Sequence, residues 1–69
     1  MDRETLATLH RKRVGRADKM IKGGSLVELV RQFQSLSRTQ QEEYFIMIGP
    51  AVCGPQRILE LAGELDLPN

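Results

Sequence analysis

The side chains that could catalyse a reaction or bind a metal are few in this sequence and far apart. Cys53 is the only cysteine and His10 the only histidine, and most of the chain separates them. A nucleophile needs a neighbouring base, and a zinc site needs several Cys or His ligands at close spacing. Ser25 and Ser37 are better explained as helix caps. The sequence therefore indicates a protein without catalytic activity, cofactor or metal site.

Two further patterns could in principle bind ions. Glu60 and Glu64 lie one helical turn apart and could share a metal or a proton. The glycines of KGGS, residues 22–25, could hold an anion at a helix N-terminus. Two acids on an exposed helical face are common, however, and no longer glycine pattern accompanies KGGS. We expect the acids to be solvated and the glycines to end a helix.

Charged side chains that could bind a partner are concentrated in the first third of the chain. Residues 1–24 carry seven cationic and three acidic side chains, a net charge of +4. Residues 25–69 carry three cationic and six acidic side chains, a net charge of −3. Such asymmetry suggests a charged partner or subunits that pack head to tail. A basic face can follow phosphates or meet an acidic protein surface, although a solvated face would also explain it. The predicted partner-binding cations, on one face of a first helix, are Arg11, Lys12, Arg16, Lys19 and Lys22.

Helix start and stop signals indicate the elements that would position these residues. KGGS can end a first helix, and two capping-box patterns, SLVE at residues 25–28 and SRTQ at residues 37–40, mark the next two helix starts. Pro55 suits the first turn of a last helix, where its missing N–H would have had no partner. The predicted helices span residues 3–22, 26–36, 38–48 and 55–65.

Hydrophobic periodicity supports this prediction for three of the four segments. At about 100° per residue, each segment places most of its apolar residues on one stripe, as expected for a helix with one buried face. The stripes are Leu6, Leu9, His10, Val14, Ala17, Met20 and Ile21; Leu26, Leu29, Val30, Phe33 and Leu36; and Ile58, Leu61, Ala62 and Leu65. The sequence therefore predicts a single all-α domain, a small bundle of about four short helices. The basic first helix spans residues 3–22, and the other helices lie within residues 25–65.

The third predicted helix contains YFIMI, residues 44–48, whose five consecutive apolar residues cover every side of a helical wheel. Two buried faces are therefore required. A strand would also have two faces, but the polar RTQQEE before YFIMI follows a capping box, and no second strand is evident for pairing. These observations favour a helix with one face on helices 1 and 2 and the other against the last helix or another chain. The predicted dimer or partner interface is Tyr44, Phe45, Ile46 and Met47.

The stretch LVELVRQFQSLSRTQQEEYF resembles the helix-turn-helix of bacterial and phage transcription regulators, and its LSR is similar to the entry into their recognition helix. The resemblance covers about twenty residues and implies DNA binding. Arg31 and Gln41 stand where that family packs a small and an aliphatic residue, and Glu42 and Glu43 would face the phosphates. If DNA is bound, the basic residues of the first helix are therefore better suited to the contact than the third helix.

The length of the chain suggests self-association. A chain of 69 residues forms one domain that buries only about 60% of its unfolded surface, so it usually needs disulfides, a metal or oligomerisation. With one cysteine and no metal ligands, a homodimer is expected. The single thiol and the charged N-terminus predict a cytoplasmic protein. No apolar run approaches the roughly 20 residues that cross a bilayer, so no membrane span is expected.

Together these patterns predict a small regulatory protein of bacterial or phage type that binds and modulates a protein target, such as a regulator, through a helical surface, with inhibition as the expected effect. The alternative is a nucleic-acid-binding transcriptional regulator that uses the basic face of the first helix. A net charge of +1 and a pI of about 7.9 favour the protein target, because dedicated DNA-binding domains of this size are commonly much more basic. No small-molecule substrate is expected.

Overall fold

Four antiparallel strands in one sheet and three helices make up residues 3–68, the part of the chain that this computed structural model describes. The domain is therefore α+β, and the predicted all-α bundle is wrong. In chain order the elements are β1 (Leu6–Arg11), β2 (Lys19–Ser25), α1 (Leu26–Gln34), α2 (Arg38–Gln41), β3 (Tyr44–Ile48), β4 (Ala51–Cys53) and α3 (Pro55–Glu64).

The strands lie in the order β2-β1-β3-β4, so two hairpins meet at the centre of the sheet. The central pair, β1 with β3, places Thr8 opposite Met47 and Arg11 opposite Tyr44. A two-residue turn joins β3 to β4, and its first residue, Gly49, has φ 58°. Positive φ at this position suits the tight turns that match the twist of a hairpin, and glycine adopts it without steric cost. The Gly-Pro pair therefore ends a strand.

The first predicted helix, residues 3–22, is wrong because this segment forms β1, a seven-residue loop and part of β2. In β1 the side chains alternate between the two faces of the sheet: Ala7 and Leu9 are buried, whereas Leu6 is 79% exposed. Gly15 has φ 70°, which breaks any helix at this point. The glycines of KGGS, predicted to end a helix, lie inside β2.

The third predicted helix is also wrong, since only Arg38–Gln41 is helical and Tyr44–Ile48 is a central strand. Strand alternation supplies the two faces that YFIMI requires. Ile46 lies in the core with Tyr44 and Ile48 packed against it, while Phe45 and Met47 point to the opposite side. The second helix of a helix-turn-helix is thus a single turn, and the resemblance to that family does not extend to the structure.

Two of the four helix predictions are confirmed, with small differences at their ends. α1 begins after Ser25, whose hydroxyl accepts a hydrogen bond from the Glu28 N–H at 3.4 Å, as the capping pattern predicts. α1 ends two residues earlier than expected, at Gln34. α3 begins with Pro55 in its first turn and ends one residue early, at Glu64. Both helices bury the apolar stripe that their periodicity predicts.

The hydrophobic core lies between one face of the sheet and the two longer helices, α1 and α3. Its members come from three strands, both helices and the segment after α3. Residues from most of the chain therefore pack the sheet layer against the helix layer. They are Ala7, Leu9, Leu26, Leu29, Val30, Phe33, Ile46, Cys53, Ile58, Leu61, Ala62, Leu65 and Leu67. This arrangement uses only one face of the sheet.

Candidate functional site

The face of the sheet away from α1 and α3, which we call the outer face, carries three exposed large apolar residues, Leu6, Met20 and Val52. Cross-strand partners share a face, so the pairings of Thr8 with Met47, His10 with Phe45 and Met47 with Val52 assign its members. None of these residues belongs to the core cluster. The outer face comprises Leu6, Thr8, His10, Met20, Gly23, Phe45, Met47 and Val52.

The outer face has an ordered centre and exposed apolar margins. At its centre the rings of His10 and Phe45 are stacked, with centroids 5.1 Å apart and an interplanar angle of 7°. Thr8 Oγ1 and His10 Nε2 share a hydrogen bond of 2.7 Å, which holds the imidazole against the phenyl ring. At the margins, Val52 is 64% exposed and Met20 58% exposed. A flat, preorganised surface of this kind loses little side-chain entropy when a partner covers it.

The β1–β2 hairpin extends past the end of β3 as a second surface, which we call the basic arm and define as residues 11–22. β3 begins at Tyr44, opposite Arg11. Beyond this pair β1 and β3 are joined by one further backbone hydrogen bond, which the Lys12 N–H donates to the Glu43 carbonyl at 2.8 Å. All twelve residues of the arm are exposed. Six of them are cationic and one is acidic, so the arm carries a net charge of +5.

Most of the cations of the basic arm have no acidic partner. Arg11 is the exception: its guanidinium lies 3.2 Å from the Glu43 carboxylate and 5.9 Å from the centre of the Tyr44 ring. Arg13 donates from Nε to the Ala17 carbonyl at 3.1 Å, a bond within the loop that leaves its side chain exposed. Within residues 3–68, five arm cations form no ion pair: Lys12, Arg13, Arg16, Lys19 and Lys22.

The basic arm separates its cations from its apolar residues. Lys19 lies opposite Arg11 and Lys22 opposite Leu9, so these cations share the helix side of the hairpin. A bulge between Leu9 and His10 inserts one extra residue in β2, which explains how two lysines three positions apart reach the same side. Met20, opposite His10, belongs to the outer face. Lys19 and Lys22 are therefore on the side of the hairpin opposite to the outer face.

The predicted site residues are redistributed by this geometry. The predicted cations Arg11, Lys12, Arg16, Lys19 and Lys22 do come together, but on a hairpin rather than on a helix. The predicted interface is divided: Ile46 is fully buried and Tyr44 packs against the core, whereas Phe45 and Met47 lie on the outer face. Sequence reasoning missed Leu6, His10 and Val52 as surface residues. The available signal was the alternation in LATLH, whose odd and even positions face opposite sides.

Three side chains with possible reactivity, Cys53, Glu60 and Glu64, are buried or ion-paired in this fold. Cys53 is buried, and desolvation raises the pKa of its thiol against the lowering effect of Arg57. The guanidinium of Arg57 binds Glu64 at 2.9 Å and Glu60 at 3.2 Å, and these bonds raise its pKa. Among the described residues, no three acidic, histidine or cysteine side chains converge as metal ligands. The pairing with Arg57 explains the two acids without a metal.

An open groove of about 580 Å³ lies between the helices, on the side away from the outer face. Its charged lining is one cation, Arg38, and one acid, Glu42, and both are exposed. Ligand sites for small molecules usually place a few polar groups within an enclosed apolar cavity. Within residues 3–68 no polar or charged residue is buried, so the groove lacks that construction.

Compared with known proteins, the chain matches no family model, and neither a curated protein nor a solved structure is similar to it. Within residues 3–68, no helix combines the length and the apolar character that crossing a bilayer requires. The outer face and the basic arm are thus the two surfaces from which function can be argued.

Proposed function

We propose that this chain is a small regulatory protein without catalytic activity that acts by binding a protein target on the outer face of its sheet. The carrying observation is the exposure of Leu6, Met20 and Val52 around an ordered aromatic centre, on a face whose residues all lie outside the core cluster between sheet and helices. Contiguous apolar patches of this kind usually mark interaction sites in soluble proteins. The proposal keeps a protein target and replaces the helical surface predicted from the sequence by a sheet face. We place this activity in the cytoplasm, where the single thiol would stay reduced.

The dimensions of the outer face suggest a weak, reversible complex. Four strands at about 4.8 Å spacing and six residues at about 3.4 Å give a face of roughly 19 Å by 20 Å. The resulting area of about 400 Å² is half of the roughly 800 Å² that each partner buries in a standard interface. Binding through this face alone would therefore have micromolar rather than nanomolar affinity, which suits a regulator that must release its target.

A second copy of the chain would compete for the same face. Flat apolar sheet faces pack on one another at about 10 Å, and an isologous pair brings the same patch together twice. The expected homodimer thus becomes the resting form, in which two outer faces cover each other. A target protein would displace one copy, so self-association and target binding are mutually exclusive.

Paired substitutions test the proposal. Val52→Asp puts a carboxylate on the outer face, and Leu59→Asp puts one on α3, where Leu59 is 47% exposed and lines the groove between the helices. Both positions are exposed, so both variants should remain folded, as checked by circular dichroism. The wild-type chain and the two variants are each immobilised, and the proteins that they retain from a bacterial lysate are compared. We expect Leu59→Asp to retain the same proteins as the wild type and Val52→Asp to lose them. Retention that is lost with Leu59→Asp instead would refute the outer face as the binding surface.

A further inference from the structure

We propose that the basic arm binds the phosphate backbone of duplex DNA, a function separate from the binding of protein on the outer face. The arm carries a net charge of +5 within twelve residues, while the whole chain carries only +1. The overall charge therefore conceals one strongly basic surface. Local charge of this density, rather than the net charge of the chain, determines attraction to a polyanion.

The cations of the arm are available to an external anion. Five of them form no ion pair within the described residues, and two of the five, Arg13 and Arg16, are arginines in the loop. Arginine can bind phosphate through two parallel N–H bonds. The bond from Arg13 Nε to the Ala17 carbonyl and the positive φ of Gly15 give the loop a defined shape.

The shape of the arm favours a duplex over a single strand. The major groove of B-form DNA, about 12 Å wide, admits a two-stranded β-ribbon, whereas the major groove of duplex RNA is too narrow for one. Single-strand binding usually needs exposed aromatic rings on which bases stack. In the described chain Phe33 and Phe45 are buried and Tyr44 is half-buried beneath Arg11. Val14, fully exposed at the tip, could contact a thymine methyl group in the groove.

The salt dependence of binding measures the number of phosphates contacted. With about −0.9 per contact, five free cations predict a slope of log K against log salt of about −4.5 for a mixed-sequence duplex of about 20 base pairs. That slope corresponds to a loss of roughly 500-fold in affinity between about 50 and 200 mM salt. The assay is fluorescence anisotropy of the labelled duplex. Lys12→Gln combined with Lys19→Gln removes two contacts and should reduce the slope to about −2.7.

Controls distinguish this proposal from general charge attraction and from the outer face. Arg31→Gln combined with Arg38→Gln removes the same charge from α1 and α2 and should leave the slope unchanged. Lys12→Gln combined with Lys19→Gln should still retain the proteins that bind the outer face, so failure of either proposal can be recognised independently. The proposal is overturned by undetectable duplex binding at about 50 mM salt, by equal effects of the two double variants, or by tighter binding of a single strand. Competition by polyglutamate as effective as that by DNA would also overturn it and would indicate an acidic protein as the partner.

Discussion

Neighbouring residues of β3 provide a sharp test of the fold, because Ile46 and Met47 point to opposite sides of the sheet. Ile46 is fully buried in the core, whereas Met47 is partly exposed on the outer face. Truncating a buried isoleucine to alanine typically costs about 2–5 kcal/mol, and a site surrounded by core on every side belongs in the upper part of that range. For Ile46→Ala we therefore expect a loss of about 4 kcal/mol in the free energy of unfolding.

The matched variant Met47→Ala should cost about 1 kcal/mol, because only part of the side chain leaves water on folding. A domain of 69 residues has a free energy of unfolding of roughly 3.5–10 kcal/mol. At the lower end of this range the Ile46→Ala variant would be largely unfolded, and at the upper end it would be folded but far less stable than the wild type. The difference of about 3 kcal/mol between the variants corresponds to roughly 12–24 °C in Tm.

Thermal and urea unfolding followed by circular dichroism provide both quantities. Wild-type chain and the two variants should be compared at one protein concentration, because self-association would add to the apparent stability. Equal losses for the two variants, or a larger loss for Met47→Ala, would refute the alternation of β3 and with it the division between core and outer face.

Two further predictions concern local features of the fold. Gly49→Ala should lower the free energy of unfolding by about 1 kcal/mol because its φ of 58° disfavours a Cβ atom, whereas Gly63→Ala, in the exposed part of α3 with open space for a methyl group, should raise it by up to about 1 kcal/mol. Equal effects in urea denaturation would contradict the assigned backbone conformations. For Cys53 the thiol has a raised pKa in the folded state, so the unfolded thiol ionises first and the unfolded state then binds fewer protons. The free energy of unfolding should fall as pH rises above the pKa of the unfolded thiol, about 8.5, and Cys53→Ala should remove that fall; an unchanged pH dependence in the variant would exclude the thiol as its cause.

The parts of the fold that depend on local signals could be predicted from the sequence. Ser25 and Glu28 mark the start of α1, and Pro55 marks the start of α3, because caps and first-turn prolines act within a few residues. The apolar stripes of both helices correctly identify their buried faces. YFIMI does have two distinct faces, but they are the faces of a strand, and only the face with Ile46 lies in the core.

The strands could not be predicted in the same way, because their stability depends on residues distant in sequence. LATLH fits both a helical stripe and strand alternation, and only its pairing with YFIMI, more than thirty residues away, decides between them. The wrong predictions for residues 3–22 and 38–48 depend on each other. With residues 3–22 assigned to a helix, β1 was not available as the strand with which YFIMI pairs. The predicted cations nevertheless lie on one hairpin, since a hairpin and a helix both keep sequence neighbours together; their role in binding a partner stays a prediction.

Methyl NMR spectra recorded over a range of protein concentrations test the outer face most directly. Leu6 and Leu59 are both exposed leucines, one on the outer face and one on α3, and Met20 and Met47 add two further methyl groups on the outer face. If two outer faces cover each other, the signals of Leu6, Met20 and Met47 should shift together as the concentration rises through the micromolar range, and that of Leu59 should not. Shifts at Leu59 alone, or constant signals from all four residues up to about 1 mM, would contradict the proposal that two outer faces cover each other in a homodimer.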